Sequence, residues 1–355
     1  MLSFVYQSLP GRVVFGEGAL AKLLEEVERL GAKRALVLST PPQRGDADKV
    51  SAMLGARSAG VYAQAVMHVP IETARAAVAE AKRLGADCAV TIGGGSTTGL
   101  GKAIALESSI PIVAIPTTYA GSEMTPIYGV TEAGLKKTGR DPRVLPRTVI
   151  YDPLLTLGLP AQLTATSGMN AIAHAVEGLY AQDANPITSL MAEEGIRALA
   201  MGLPRAVVKP DDVAARADCL YGAWLCGAVL GAVGMALHHK LCHTLGGSFN
   251  LPHAETHAIV LPHAVAYNRA AAPEAMARVQ RALAAGDAAT ALYDLAARLG
   301  APMALQQIGM RADDLERAAD TATRSPYPNP RPIERTAIRQ LLEDAFHGRR
   351  PRPFQ

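Results

Sequence analysis

The run Cys88-Ala89-Val90-Thr91-Ile92, followed without a break by Gly93-Gly94-Gly95-Ser96, constrains the fold more than any other stretch of the chain. A short apolar run bounded by glycine suits a strand buried on both faces, and such strands belong to parallel sheets. The glycines then open a helical segment through Thr97-Thr98-Gly99-Leu100-Gly101-Lys102-Ala103. A strand, a glycine turn and a helix N-terminus let the backbone approach a pyrophosphate, whose charge the first helical amides meet. A glycine run by itself is often only a tight turn. Its position after a buried strand points to a dinucleotide.

Arg34–Ser39, bounded by Gly31 and Pro41-Pro42, and Ile110–Pro116 repeat the buried-strand pattern. Ala74–Leu84 has helical apolar spacing, with Gly85 placed to cap it. Alternating strands and helices predict an α/β, doubly wound, Rossmann-like domain in the N-terminal part. After Tyr151-Asp152-Pro153 the β-branched runs give way to Ala- and Leu-rich stretches at Ile187–Leu203, Val213–Ala236 and Ala275–Leu299, which predict an all-α domain. The expected division is a dinucleotide-binding domain over 1–155 and a helical substrate and catalytic domain over 156–355. With 355 residues, 49% of them hydrophobic, both cores can be filled.

A second polar loop, Pro116-Thr117-Thr118-Tyr119-Ala120-Gly121-Ser122-Glu123-Met124-Thr125, also follows a strand directly. Open α/β sheets bind ligands at the carboxyl ends of their strands, so this loop is expected beside the glycine loop, with its hydroxyls on a nucleotide. Thirty-five Lys and Arg against 32 Asp and Glu leave a net charge of only +3, without the basic stripe that nucleic acid requires. Cys88, Cys219, Cys226 and Cys242 form no Cys-x-x-Cys pair and read as reduced core residues. Met1-Leu2-Ser3-Phe4 does not begin a secretion signal, and runs such as Cys88–Ile92 are too short to span a bilayer. A cytoplasmic protein with no membrane partner is expected.

Five of the nine histidines fall between His238 and His257. His239 and His243 share a helical face one turn apart, Pro252 should end that run ahead of His253, and Asn170 with His174 repeats the four-residue spacing upstream. A divalent metal favours an anionic ligand among imidazoles, and Asn170 stands where a carboxylate is expected. The cluster therefore reads as a proton-handling and anion-binding site, with no metal expected. A lone histidine in an apolar helix is usually a core residue; that reading fits His238 and leaves His257 and His263 open.

Gly93-Gly94-Gly95-Ser96 with Lys102, Pro116-Thr117-Thr118 with Gly121-Ser122-Glu123, Lys137, Asp152-Pro153, the Asn170/His174 pair and His239/His243/His253 occur in this order over nearly the whole chain. In this the sequence resembles the iron-containing alcohol dehydrogenase superfamily. The stretches His238–Gly247, Leu251–His257 and Asn329–Pro332 resemble its maleylacetate reductase branch. The resemblance implies a dehydroquinate synthase-like architecture, NADH or NADPH as cofactor, and a homodimer. It also implies reduction of the carbon-carbon double bond of maleylacetate, or of a substituted relative, to 3-oxoadipate in aromatic-compound degradation. Its cofactor-binding positions here are Ser39, Thr40, Gly93, Gly94, Gly95, Ser96, Thr97, Lys102, Thr117, Thr118, Ser122 and Lys137.

Two departures matter. The Asp that ligates metal in the metal-dependent members is Asn170, and the Asp that often follows their glycine run is Gly99, so iron or zinc dependence is not carried over. Thr40, with Arg44 close by, replaces the Asp that takes the ribose hydroxyls in NAD-preferring members. Without that carboxylate, NADPH should be accepted beside NADH.

The chemistry also fits the residues. Hydride delivered to the carbon β to the ketone of a dianionic enone creates an enolate, which needs a donor at oxygen and a proton on the adjacent carbon. His243 is expected to handle the proton. His174, His239 and His253, with Lys240, should stabilise the oxyanion and the nearer carboxylate beside Asn170. Arg331 can clamp the other carboxylate bidentately. Two alternatives stand: a metal-dependent alcohol dehydrogenase in which Asn170 ligates through its carbonyl oxygen, and a non-catalytic nucleotide-binding module, which has no reason to keep four histidines together.

Overall fold

A computed structural model describes Phe4, Tyr6, Ser8, Leu9 and residues 11–132 and 135–352. Its strands are β1 (Arg12–Phe15), β2 (Ala35–Leu38), β3 (Ser58–Tyr62), β4 (Cys88–Gly93), β5 (Ile112–Pro116), β6 (Ile127–Glu132), β7 (Leu135–Arg140) and β8 (Thr148–Tyr151). Six of them pair in parallel in the order β1-β8-β5-β4-β2-β3, and β6 with β7 forms a separate antiparallel ribbon. Helices α1 (Leu23–Arg29), α2 (Arg44–Leu54), α3 (Ile71–Arg83) and α4 (Gly95–Ser108) belong to the same unit.

The two-residue period of the strands explains why both sheet faces are covered. Ala35 and Val37 of β2 pack with Leu23 and Val27 of α1 and with Ala47 and Val50 of α2. Leu36 and Leu38 point the other way, into a core with Ala77 and Val78 of α3 and Leu100 and Ile104 of α4. Each fully buried leucine contributes roughly 1.5–3 kcal/mol of burial. A strand apolar at every position thus feeds two cores, which is the doubly wound arrangement.

The second unit is helical: α5 (Ala161–Leu179), α6 (Pro186–Val208), α7 (Val213–Ala232), α8 (Leu237–Phe249), α9 (His253–Asn268), α10 (Pro273–Leu283), α11 (Ala288–Arg298), α12 (Leu315–Thr323) and α13 (Arg335–His347). Helix α5 is its hub. Every residue from Thr164 to Leu179 is buried, against α6, α7 and α9. Helices α6 and α7 touch backbone to backbone, since a Cβ at Gly222 would lie 2.8 Å from the Gly195 carbonyl oxygen. Among the described residues α7 is the one helix long and apolar enough to cross a bilayer. In this fold it packs on α5 and α6.

Several expected boundaries move. The units divide between Leu159 and Pro160, not at 155. The Asp152 carboxylate accepts hydrogen bonds from the backbone N–H groups of Gly18, Leu20 and Leu154, which fastens the segment after β8 to the sheet unit. The run expected over Val213–Ala236 ends at Ala232; the Gly234 N–H then donates to the Asp183 carboxylate and a new helix begins at Leu237. Ala275–Leu299 is two helices, broken where Ala284 turns left-handed and Asp287 caps α11 through the Thr290 N–H.

Candidate active site

The glycine loop occupies the carboxyl end of β4, as the strand-to-helix reading requires. Gly93 has φ +148°, and a Cβ there would meet Thr97 Oγ1 at 2.5 Å and Gln43 Oε1 at 2.8 Å, so only glycine fits. The Thr117 N–H donates to the Gly93 carbonyl at 3.0 Å, bringing the β5 loop against the β4 loop. Thr118 also faces Gly94, whose added Cβ would lie 3.0 Å from the Thr118 hydroxyl. Gln43, which sequence reasoning missed, ties the loops together: it accepts from the Thr40 hydroxyl at 3.1 Å and donates to Thr117 Oγ1 at 3.0 Å. A glutamine in a polar turn after Pro41-Pro42 carries no signal of that role.

These residues fit a dinucleotide. Helix α4 starts at Gly95 with no side chain capping its first amides, and Ser96 lies half-buried in that first turn. The buried hydroxyls of Ser39 and Thr97 have no partner within the protein, which a bound nucleotide would supply.

Two expected cofactor positions make contacts within the protein. Lys102 is fully buried, and its ammonium donates to the carbonyls of Ser122, Thr125 and Ile127 at 2.7–2.8 Å and to Thr125 Oγ1 at 3.0 Å. Burial lowers its pKa to about 7, opposed by the buried Glu123 nearby. Lys102 therefore fastens the 122–127 segment, and its long stem folds back where a phosphate contact was expected. Lys137 lies exposed on the β6–β7 ribbon, paired with Glu132 at 2.6 Å. Arg44, close to Thr40 in sequence, pairs with Asp48 one turn along α2.

In the helical unit, α5 presents Asn170, His174 and Glu177 along one buried face. Helix α8 brings His238, His239 and His243, and α9 brings His253 and His257. The left-handed Asn250 and Pro252 break the chain between these two helices, as the proline predicts. The rings form one contiguous array, with centroid separations of 5.2 Å for His174–His239, 4.9 Å for His239–His257, 6.2 Å for His239–His243 and 4.2 Å for His253–His257. The array is graded. His174, His238, His239 and His257 are buried, His253 is half-buried and His243 is exposed.

Burial pushes the imidazole pKa down to about 4 for His238 and about 3 for His239, and holds His174 and His257 well below 6.5; the neighbouring imidazoles add to the effect. All four rings are neutral at pH 7. His263 lies further along α9, buried and likewise lowered to about 4.

The cluster does hold a carboxylate, contrary to the sequence reading. Glu177 is fully buried and takes the His238 N–H on Oε1 at 2.7 Å. Its Oε2 takes the Ala236 N–H at 2.9 Å, the His239 N–H at 3.2 Å and His239 Nδ1 at 2.8 Å. His239 thus turns one ring nitrogen to an anion, where a substrate contact was expected. The sequence signal was present but unread: Glu177 is three residues beyond His174 and seven beyond Asn170, so it shares their face. His238, read as core, and His257, left open, both join the array.

Asn170 Oδ1, His174 Nδ1, His239 Nε2 and both His257 nitrogens are buried without a protein partner, so a ligand here would find acceptors and donors unspent. Nitrogens of His238, His239 and His257 lie within 4.8 Å of one another. Part of this donor set is already engaged. His238 Nε2 is bonded to the His257 carbonyl and His239 Nδ1 to Glu177, whose Oε2 takes three N–H donors and whose Oε1 takes the His238 N–H and the Tyr180 hydroxyl. Among the described residues the cluster's carboxylate, Glu177, already carries hydrogen-bond donors on both oxygens.

Lys240 is half-buried with its ammonium 5.6 Å from the Tyr327 ring centre. The Arg331 guanidinium lies 4.6 Å over the Tyr267 ring, and Asn329 binds both the Arg331 carbonyl and Asn268, which fixes the expected Asn329–Pro332 segment to the end of α9. A cavity of about 620 Å³, lined by Tyr180, Asp183, Ala236, Asn329 and Pro330 among others, adjoins this segment and the turn that leads into His238.

Residues 10–153 match the iron-containing alcohol dehydrogenase family, and residues 164–346 match the C-terminal part of the Fe-containing alcohol dehydrogenase family. The chain is 64% identical over 351 residues to the maleylacetate reductase of Burkholderia cepacia, covering 99% of this chain and 100% of that one. The crystal structure of maleylacetate reductase from Rhizobium sp. strain MTP-10005 superposes with a TM-score of 0.95 at 57% identity, over 99% of this chain and 100% of that one. A 1,3-propanediol oxidoreductase superposes with a TM-score of 0.91 at 30% identity, over 97% and 100%. The chain belongs to the iron-containing alcohol dehydrogenase family.

Proposed function

We propose that this chain is an oxidoreductase that reduces the carbon-carbon double bond of maleylacetate to 3-oxoadipate with NADH or NADPH, and that it does so without a bound metal. The observation that carries the reading is the array of imidazoles, graded from buried, neutral His174 to exposed His243, whose carboxylate Glu177 already carries hydrogen-bond donors on both oxygens. Full-length relatives at 57–64% identity that bear the name maleylacetate reductase support the substrate.

The bound nicotinamide supplies the hydride; the rest of the chemistry falls to side chains. His243, exposed on α8, can exchange its proton with solvent and is assigned delivery to the carbon next to the ketone. His174, His253 and Lys240 meet the enolate oxygen and the nearer carboxylate, and Asn170 adds an uncharged amide. Arg331 takes the far carboxylate with its planar fork. In the other unit, Ser39, Thr40, Thr97, Thr117, Thr118 and the glycine loop hold the dinucleotide, and Ser122 lies at the loop's edge. We place the protein in the cytoplasm as a homodimer acting on a small dianion, with no nucleic-acid or membrane partner; the dispersed net charge of +3 supports this.

The test is to follow NADH and NADPH oxidation with maleylacetate and with a panel of simple aldehydes, before and after prolonged chelation. Turnover of the diacid alone, unchanged by chelation, is expected. Turnover of aldehydes restored by iron or zinc would replace this reading with the metal-dependent one. His243→Ala should lower kcat about 100-fold or more, and Arg331→Lys should chiefly raise KM.

A further inference from the structure

We propose that Glu177 is a positioning residue: its carboxylate keeps the proton of His239 on Nδ1, so that Nε2 enters the site as a lone pair. Two independent contacts lead to this assignment. Every partner of Glu177 Oε2 is an N–H donor, two of them backbone amides, and the third is His239 Nδ1 at 2.8 Å. A carboxylate with backbone donors on both oxygens can only accept, so the proton of that contact sits on His239. The second contact runs through His238. Its Nε2 lies 3.1 Å from the His257 carbonyl, which can only accept, so the His238 proton is on Nε2. His238 Nδ1 is then a lone pair, and it faces His239 Nδ1 at 3.4 Å. Two lone pairs would repel there; a proton on His239 Nδ1 removes the conflict.

The consequence changes what His239 can do. Its Nε2 is buried and has no partner in the protein, and in this tautomer it accepts and does not donate. Carboxylates and enolate oxygens are acceptors too, so His239 cannot hold them directly, as the sequence reading expected. It instead orients an N–H of a neighbouring ring or a water, and that group meets the substrate. Glu177 also gathers the N–H groups of Ala236, His238 and His239, three of the amides that open α8. One side chain therefore sets both the position of the helix that carries His239 and His243 and the proton of the first of those rings. The same logic governs a metal-free triad, where a buried carboxylate selects the imidazole tautomer.

The inference rests on the maleylacetate reading only for its kinetic arm. In ¹⁵N-histidine-labelled protein, long-range ¹H–¹⁵N spectra distinguish protonated from unprotonated ring nitrogens, and His239→Gln identifies the His239 signals by their loss. The wild-type protein should show a protonated Nδ1 and an unprotonated Nε2 for His239. The reverse pattern overturns the inference, whether or not Glu177→Gln folds. Glu177→Gln must place an NH₂ group against a backbone N–H or against His239 Nδ1, and should move the proton to Nε2 and lower kcat about 10- to 100-fold, with the affinity for NADPH unchanged. An unmoved proton together with unchanged kcat would also sink it. If the wild-type spectrum is as expected but maleylacetate is not turned over, the assignment of substrate falls and the positioning role stands.

Discussion

Mild acid should unfold the helical unit, and the amount follows from the buried rings. His174, His238, His239, His257 and His263 all lie in that unit, and burial lowers each of them, to about 4 for His238 and His263 and about 3 for His239. In the unfolded chain these rings return to 6.5. The folded pKa is the lower one, so the unfolded state takes up protons first; stability is undiminished above pH 6.5 and is lost as the pH falls from 6.5 towards 4. Between pH 7 and 5 each ring held at about 4 or below costs about 2 kcal/mol, so His238, His239 and His263 together cost roughly 6 kcal/mol, and His174 and His257 act in the same direction. That is comparable with the whole stability of a typical domain, about 5–15 kcal/mol. The carboxylates with lowered pKa values, such as Glu26 and Glu193, start from 4.5 and act mainly at lower pH. Trp224, the single tryptophan, lies in α7 and reports on this unit alone. Urea midpoints from its fluorescence, plotted against pH, give the protons taken up on unfolding. The expected uptake near pH 5 is about three protons from His238, His239 and His263, with His174 and His257 adding to it. An uptake below about two would refute the reasoning, since the rings would then be charged or solvated in the folded state.

Gly93→Ala should weaken NADPH binding about 10-fold or more, because strain at a forbidden backbone angle costs about 1–3 kcal/mol and the new methyl meets Thr97 and Gln43. Gly158→Ala, outside the loop and with nothing within 4 Å of its Cβ, should be nearly silent. Equal effects in a fluorescence titration would remove Gly93 from the cofactor cradle. Thr40→Asp should shift kcat/KM from NADPH towards NADH by about 10-fold, the size of a repulsion of about 1.4 kcal/mol between carboxylate and 2′-phosphate. An unchanged ratio means that Thr40 does not line the adenosine ribose.

What could be read in the sequence was whatever local periodicity determines. β2, β4 and β5 show as apolar runs because both of their faces are buried, and the loops at their ends follow from strand direction. The histidine spacings survive in the structure because residues four apart on a helix must share a face. Contacts made by side chains that reach far along the chain left no such trace. Lys102 sits where a phosphate-binding lysine is expected, yet its four acceptors lie 20 to 25 residues away in a loop whose shape the sequence does not announce. The break at Ala284 is equally silent, since the left-handed turn is made without a glycine.

Asn170 and Glu177 show why charge count alone misread the cluster. The absence of a carboxylate at 170 was visible. The presence of one at 177 was overlooked because its partners are backbone amides about 60 residues away. Those amides keep Glu177 from acting as a ligand, and its charge is spread over four N–H donors in place of a cation. A second carboxylate, at 170, would add an unmatched anion on the same face of α5, beside the proposed path of a dianionic substrate. The amide of Asn170 keeps an oxygen acceptor at that position without adding charge, so the single anion the cluster contains is one that organises helix α8 and His239.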